Sequence, residues 1–160
     1  MASLISFHFT VTGFWAGGKR GKTFTNDFMK ENFEKEHKEA FPNQEVPKGG
    51  YPDMGNGRYS QKLTYEQWFN FNNAQRTHYN YMESVTCVLC WILIAGIGYN
   101  WYAVGFGSAY LIGRLAYTIG YAIKGPSGRV VGFIISILSS AALFILSIIS
   151  PLRMAGVISS

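Results

Sequence analysis

The residues of this chain best suited to chemistry fall into three groups. Asn73, Arg76, Asn80, Glu83, Cys87 and Cys90 recur at spacings of three and four, which puts them on one face if the run is helical. The polar run 71–83 passes, with no turn residue, into the apolar stretch 85–98. A face that begins with Arg, Asn and Glu therefore continues into a membrane-grade segment. Ionisable residues in such a segment are costly, so they face a bundle interior or a cavity and mark a site. Arg114, Tyr117 and Tyr121 share a second face at the same spacings, and Arg129 sits in the short basic loop that follows. If these faces meet near one membrane surface, they form a cationic, hydrogen-bonding cleft beside lipid. Such a cleft suits a small anionic ligand used with an apolar co-substrate. The same residues also read as interhelical glue, with Arg76, Glu83 and Arg114 satisfied by one another and by backbone carbonyls. Spacing alone leaves both readings open.

The elements that must position these groups follow from the charge pattern. Of 160 residues, 48% are hydrophobic and only 14% charged, below the charged share usual in soluble domains. Nine basic and eight acidic residues lie between Lys19 and Glu66; from Gln67 on there are six charges. A polar front section thus precedes a membrane-like back section. The net charge of +5 does not point to nucleic acid, because no basic stripe interleaves with aromatics. Cys87 and Cys90 form a C-x-x-C inside an apolar helix. There a thiol is a small packing residue with a disfavoured thiolate, and two cysteines make no disulfide framework.

Residues 1–26 form a short apolar and basic N-terminal segment. Its apolar part, 4–18, is shorter than the ~20 residues that span a bilayer as a helix. It reads as a short or tilted first membrane helix, as an interfacial helix, or as a targeting segment; the basic residues follow the apolar part, against a secretory signal. Residues 27–69 form a polar section: an alternating-charge surface helix over 27–40, then a Gly-, Pro- and Asn-rich loop expected to be held by something else, a partner chain among the candidates. Thr64-Tyr65-Glu66 opens the next helix. Residues 70–153 carry helices at about 70–98, 101–123 and 130–149, and 154–160 form a tail. Counting the weak first segment, the expected fold is an all-α integral membrane protein, a four-helix transmembrane bundle with a degenerate or short first helix and a long polar loop. The long loop and the Lys124–Arg129 loop then share the cytosolic or matrix side by the positive-inside bias.

The run Phe71-Asn72-x-x-Gln75-Arg76-x-His78-x-Asn80-x-x-Glu83 resembles the signature of the membrane-associated proteins in eicosanoid and glutathione metabolism, the MAPEG family. The stretch Ile112-Gly113-Arg114-x-x-Tyr117-x-x-Gly120-Tyr121, followed by Gly125-Pro126-Ser127-x-Arg129, is similar in order and spacing, most of all to the type 3 microsomal glutathione S-transferase branch. The resemblance covers about residues 70–150. It implies a trimeric four-helix membrane bundle that binds glutathione between helices, in the endoplasmic reticulum or a mitochondrial membrane. Glutathione is the implied co-substrate, lipids are neighbours, and no metal is implied. Carried over by position, Arg76, Asn80, Glu83, Tyr117 and Tyr121 bind glutathione, and Arg129 is the catalytic arginine that stabilises its thiolate. Gln75, His78 and Arg114 support the site. The thiolate then attacks an electrophilic lipid or reduces a lipid hydroperoxide.

This chain departs from the family where Gly17-Gly18-Lys19-Arg20-Gly21-Lys22 interrupts the first helix, where the polar loop is lengthened, and at Tyr79 and Ser84. Those departures motivate an alternative: a non-catalytic structural subunit of a larger membrane assembly, such as a respiratory complex, that keeps the fold. A lipid-presenting relative is a third reading, with less need of Arg129.

Overall fold

The computed structural model describes residues 1–158; the last two residues of the expected tail lie outside the described residues. All regular structure among them is helical. Five α-helices run in order: α1 (Ala2–Thr23), α2 (Asn26–Ala40), α3 (Tyr65–Gly98), α4 (Asn100–Lys124) and α5 (Val130–Met154). Two of them, α3 and α5, are long and apolar enough to cross a membrane. Only 28% and 22% of their apolar windows are buried within the chain, unlike the core helices of a soluble protein. Helix α4, expected as a span, has 25 residues, but its tyrosines, glycines and Arg114 keep it below the hydropathy of those two.

The first helix is not short. It runs 22 residues, straight through the Gly-Gly-Lys-Arg-Gly-Lys segment expected to interrupt it. No proline removes a backbone donor there, and glycine lowers helix propensity by only about 1 kcal/mol per residue. Helix α3 begins at Tyr65, where Thr64-Tyr65-Glu66 was expected to open a helix, and runs on without a break into the span expected over 70–98. Thr64 and Gln67 form a reciprocal cap: Gln67 N donates to Thr64 Oγ1 at 3.3 Å and Thr64 N to Gln67 Oε1 at 3.0 Å, which is the capping-box arrangement. Its 34 residues give a length of about 51 Å, well beyond the ~30 Å hydrocarbon layer.

The chain forms two compact units, divided within α1 and within α3: Met1–Thr12 together with Thr77 onward, and Gly13–Arg76. In the first unit, Tyr81, Val85, Val88 and Ile92 of α3 bury against Ile5, Tyr110 and Leu143. The α4–α5 pair approaches backbone to backbone. A Cβ on Gly132 would lie 2.6 Å from the Gly113 carbonyl oxygen, and one on Gly120 would fall on the Gly128 carbonyl. Small residues at such spacings let membrane helices close to van der Waals contact of their main chains. At the far end, Ser150 of α5 braces the end of α3. Its hydroxyl donates to the Ile94 carbonyl at 2.9 Å and accepts from Gly98 N at 2.8 Å. Arg153 Nη1 donates to the Gly98 carbonyl at 3.3 Å, satisfying a helix-end acceptor.

The second unit orders the long polar loop through contacts of its own. Phe24, Met29, Phe33, Val46 and Phe71 form its core. The buried Arg20 guanidinium lies 4.3 Å from the Tyr51 ring centroid and 5.2 Å from that of Phe71, and donates to the Gly49 carbonyl at 3.2 Å. The Asp53 carboxylate gathers the loop. It accepts from Gly55 N (2.7 Å), Gly57 N (2.9 Å), Ser60 N (2.7 Å) and Ser60 Oγ (2.8 Å). Gly55 stands at φ +101° with Asn72 Oδ1 2.8 Å from where a Cβ would sit, so only glycine fits there. Trp68 Nε1 and Asn72 Nδ2 both donate to its carbonyl at 3.0 Å. Burial pushes the Asp53 carboxyl up, but the four donors outweigh it and hold the group below its usual value.

Two tests follow from this packing. Gly132→Val will separate α4 from α5 and lower stability by about 1–3 kcal/mol, the range for overpacking, read as a lower thermal midpoint in detergent. Asp53→Ala will leave three backbone donors unmatched, each costing roughly 1–3 kcal/mol where it stays buried; hydrogen exchange across residues 41–64 will accelerate while that of α5 does not. Because its folded pKa is depressed, the Asp53 contribution is fully present above the unfolded value of 3.8. It is lost as pH falls through the lower folded value, and loop exchange in the parent chain will rise there.

Candidate functional site

The stripe Asn73, Arg76, Asn80, Glu83, Cys87, Cys90 was expected to face a cavity or bundle interior. In the single chain it faces mostly outward. Arg76, Glu83, Cys87 and Cys90 are exposed, and Asn73 and Asn80 half-buried. Tyr81, one residue and about 100° around the helix from Asn80, is the residue that enters the core. The cysteines accordingly do not pack inside the chain.

Asn80 connects this stripe to α4. Arg114 is only 3% exposed. Its Nη1 donates to Asn80 Oδ1 at 2.9 Å, and its guanidinium lies between two rings, 4.1 Å from the Tyr81 centroid and 4.6 Å from that of Tyr117. Its Nε and Nη2 are buried with no hydrogen-bond partner among the described residues. Asn80 Nδ2 in turn faces Glu83 Oε2 at 3.4 Å. The Ser84 and Tyr110 hydroxyls meet at 3.1 Å. Asn80, Glu83, Ser84, Tyr110, Arg114 and Ser136 line a cleft of about 160 Å³.

Around the α4–α5 corner lies the second cluster. The contact of Gly120 with Gly128 folds the Gly125–Ser127 turn tightly, so Arg129, at the N-terminus of α5, comes back onto α4. Its Nη1 donates to the Tyr121 hydroxyl at 3.2 Å, and its guanidinium stands 5.6 Å from that ring's centroid. Tyr117 and Tyr121 are both buried, with ring centroids 5.3 Å apart. The Tyr117 hydroxyl also stands beside the Arg129 guanidinium, without meeting strict hydrogen-bond geometry. A guanidinium, two phenols and the positive end of a helix thus converge on one point, an arrangement that stabilises an anion.

Asn80, Glu83, Arg114, Tyr117, Tyr121 and Arg129 therefore form one connected series, through Arg114 stacked on Tyr117. Two expected supporting residues do not join it. His78 is tied to α1: its Nδ1 is 3.0 Å from Thr12 Oγ1 and its ring stacks on Phe9 at 4.8 Å. Gln75 is buried in the second unit, and Arg76 is that unit's exposed last residue. Tyr81, Tyr110, Ser84 and Ser136 are the members that sequence reasoning missed. A readable signal existed for one: Ser136, Ser139, Ser140, Ser147 and Ser150 recur at helical spacing in an otherwise apolar span.

The model of the MAPEG family matches residues 2–149. No solved structure matches the chain.

The Asn80–Arg114 bond has a direct test. Asn80→Ala leaves a third donor of the buried guanidinium unmatched and will lower the thermal midpoint, at a cost on the order of 1–3 kcal/mol. Asn80→Asp supplies a charge-assisted acceptor of the same size and will keep the midpoint near that of the parent.

Proposed function

The chain belongs to the MAPEG family, and on that premise we propose that it is an integral-membrane glutathione transferase or peroxidase. In this reading α1, α3, α4 and α5 form the four-helix membrane bundle and the 13–76 unit is a polar elaboration of it. The type 3 microsomal glutathione S-transferase branch is the nearest in motif spacing, and the endoplasmic reticulum or a mitochondrial membrane is the setting. The observation that carries the reading is the convergence of Arg129, Tyr121 and Tyr117 at the first turn of α5.

A free thiol has a pKa near 8.5, and an adjacent guanidinium or helix N-terminus lowers it. Arg129, held by Tyr121, would pair with the glutathione sulfur and keep it as thiolate at neutral pH. The Tyr117 hydroxyl, beside the same guanidinium, would donate to the same sulfur or to the oxygen that gains charge as the reaction proceeds. Arg76, Asn80 and Glu83 would grip the peptide. The exposure of Arg76 and Glu83 on a single chain fits sites completed between subunits of a homotrimer. In the transferase reaction, the thiolate forms a carbon–sulfur bond as the electrophile's strained or conjugated bond breaks and its remnant takes up a proton. In the peroxidase reaction, the thiolate attacks the hydroperoxide, the O–O bond breaks, and the lipid leaves as an alcohol. The resulting sulfenic acid condenses with a second glutathione to give the disulfide and water.

One observation favours the alternative of a structural subunit in a larger membrane assembly. The 13–76 unit has its own core and its own buried carboxylate hub, so it is a folded surface rather than a slack linker. A homotrimer in detergent supports the enzyme; a single copy recovered within a hetero-complex supports the subunit.

Calorimetric titration of glutathione into the purified chain tests the enzyme reading. Saturable binding is expected, and Arg76→Ala will abolish it. Arg129→Ala will still bind but will lose the ultraviolet absorbance of the thiolate, with turnover down on the order of a hundredfold, as for loss of one oxyanion-stabilising donor. Absence of binding by the intact chain overturns the proposal.

A further inference from the structure

We propose that the cleft between the C-terminal half of α2 and residues 56–62 is a docking site for another protein, which inserts one tyrosine side chain. The cleft belongs to the 13–76 unit and shares no residue with the candidate glutathione site. Its occupant is therefore independent of the thiol chemistry above.

Phe33, Glu36, His37, Phe41, Arg58 and Tyr59 line a cleft of about 170 Å³. Its walls are aromatic. The centroids of the Phe33 and Tyr59 rings lie 4.7 Å apart, and those of His37 and Phe41 5.2 Å. Phe41 N donates to the His37 carbonyl at 2.7 Å, which closes the end of α2 and brings the Phe41 ring to the imidazole. Phe41 is still 50% exposed, so part of this aromatic wall is bare. An apolar cavity of about 150 Å³ accommodates a benzene ring; this cleft has the size of one aromatic side chain.

His37 sets the polar handle of the occupant. Its Nε2 is buried with no hydrogen-bond partner among the described residues. A neutral imidazole nitrogen either donates or accepts, and a phenol hydroxyl does both. A phenol therefore satisfies Nε2 in either tautomer, an indole N–H serves only one, and a phenyl ring serves neither. A buried polar atom left unmatched is costly, and a docked hydroxyl removes that cost.

The surroundings favour a polypeptide over a free phenol. A groove of about 540 Å³ continues from the cleft, sharing Phe33, Glu36 and Arg58 with it and extending along Asn56, Gln61 and Lys62. The carboxamides of Asn56 and Gln61 carry the donors and acceptors that a peptide backbone needs. Glu36 and Arg58 form an exposed ion pair at the shared edge. An aromatic anchor in a pocket, bordered by a polar rim, is the arrangement of an interface hot spot. The exposed tyrosines of this chain are otherwise placed: Tyr65 and Tyr102 stand on helices, and Tyr51 covers Arg20. The inserted residue accordingly comes from a different protein.

The test uses the full chain in phosphatidylcholine nanodiscs. The probes are dye-labelled peptides, identical but for a central tyrosine or phenylalanine, and free p-cresol as a competitor. Anisotropy gives the affinities, and the nuclear magnetic resonance signals of isotope-labelled histidine give the place. The tyrosine peptide is expected to bind at a concentration roughly tenfold below the phenylalanine peptide, the scale of one buried hydrogen bond. It will shift the His37 signals and leave those of His8 and His78 unmoved. Ala40→Leu, which narrows the cleft, will weaken both peptides, and His37→Phe will bind the two alike, each at a thermal midpoint no lower than the parent's. Equal affinity of the parent chain for the two peptides, or His37 signals that do not move, overturns the site. Competition by p-cresol at the same concentration as the tyrosine peptide overturns the protein partner, since the ring alone then accounts for binding. Dissociation of the chain's own oligomer by the tyrosine peptide also overturns it, because a second copy then supplies the side chain. Peptide binding in a chain that fails to bind glutathione leaves this site standing and removes the enzyme reading instead.

Discussion

The close approach of α4 and α5 is the constraint on which the rest of the first unit depends. Gly113 and Gly120 on one helix, and Gly128, Gly132 and Ser136 at the start of the other, remove the side chains that would hold the backbones apart. In a membrane the hydrophobic effect does not drive helices together, so close packing of main chains must do so. The chemistry follows from that contact. With the corner drawn tight, Arg129 folds back onto Tyr121. Slightly deeper, Ser136 lies against Gly113, the neighbour of Arg114, and becomes a wall of the cleft. A wider crossing would part the cation from its phenols.

A second theme is how an apolar chain houses its arginines. Arg20 lies among Phe24, Tyr51 and Phe71; Arg114 between Tyr81 and Tyr117; Arg129 against Tyr121; Arg153 against Tyr99. An aromatic face accepts a weakly hydrated guanidinium without introducing another charge to bury. The arrangement leaves N–H groups available at the ring edges. At Arg20 they hold the polar loop through the Gly49 carbonyl, so the role there is architectural. At Arg114 two of them have no partner among the described residues.

The elements themselves were largely legible. The charge-free run in α5 and the helix start at Thr64-Tyr65-Glu66 are local patterns, and so are the Arg114, Tyr117, Tyr121 spacing and the turn leading to Arg129. The continuity of α1 was not legible, because three glycines and three basic residues look like an interruption, yet none removes a backbone hydrogen bond. What holds the polar loop was hidden as well. Composition named no contact for it, while the contacts that fix it join Arg20 to Gly49 and Trp68 to Gly55 across wide separations in sequence.

The sequence by itself determined which residues are chemically able and on which helix each lies, because helical spacing and charge are local properties of the chain. The tertiary structure decided which of them meet. On a membrane-grade helix apolar residues surround the whole circumference, so periodicity does not say which face turns inward. One step from Asn80 to Tyr81 settled that, leaving Arg76 and Glu83 outside, Asn80 on Arg114, and His78 on α1. The two unmatched donors of Arg114 are a property of what packs around it, and no reading of one residue at a time contains them.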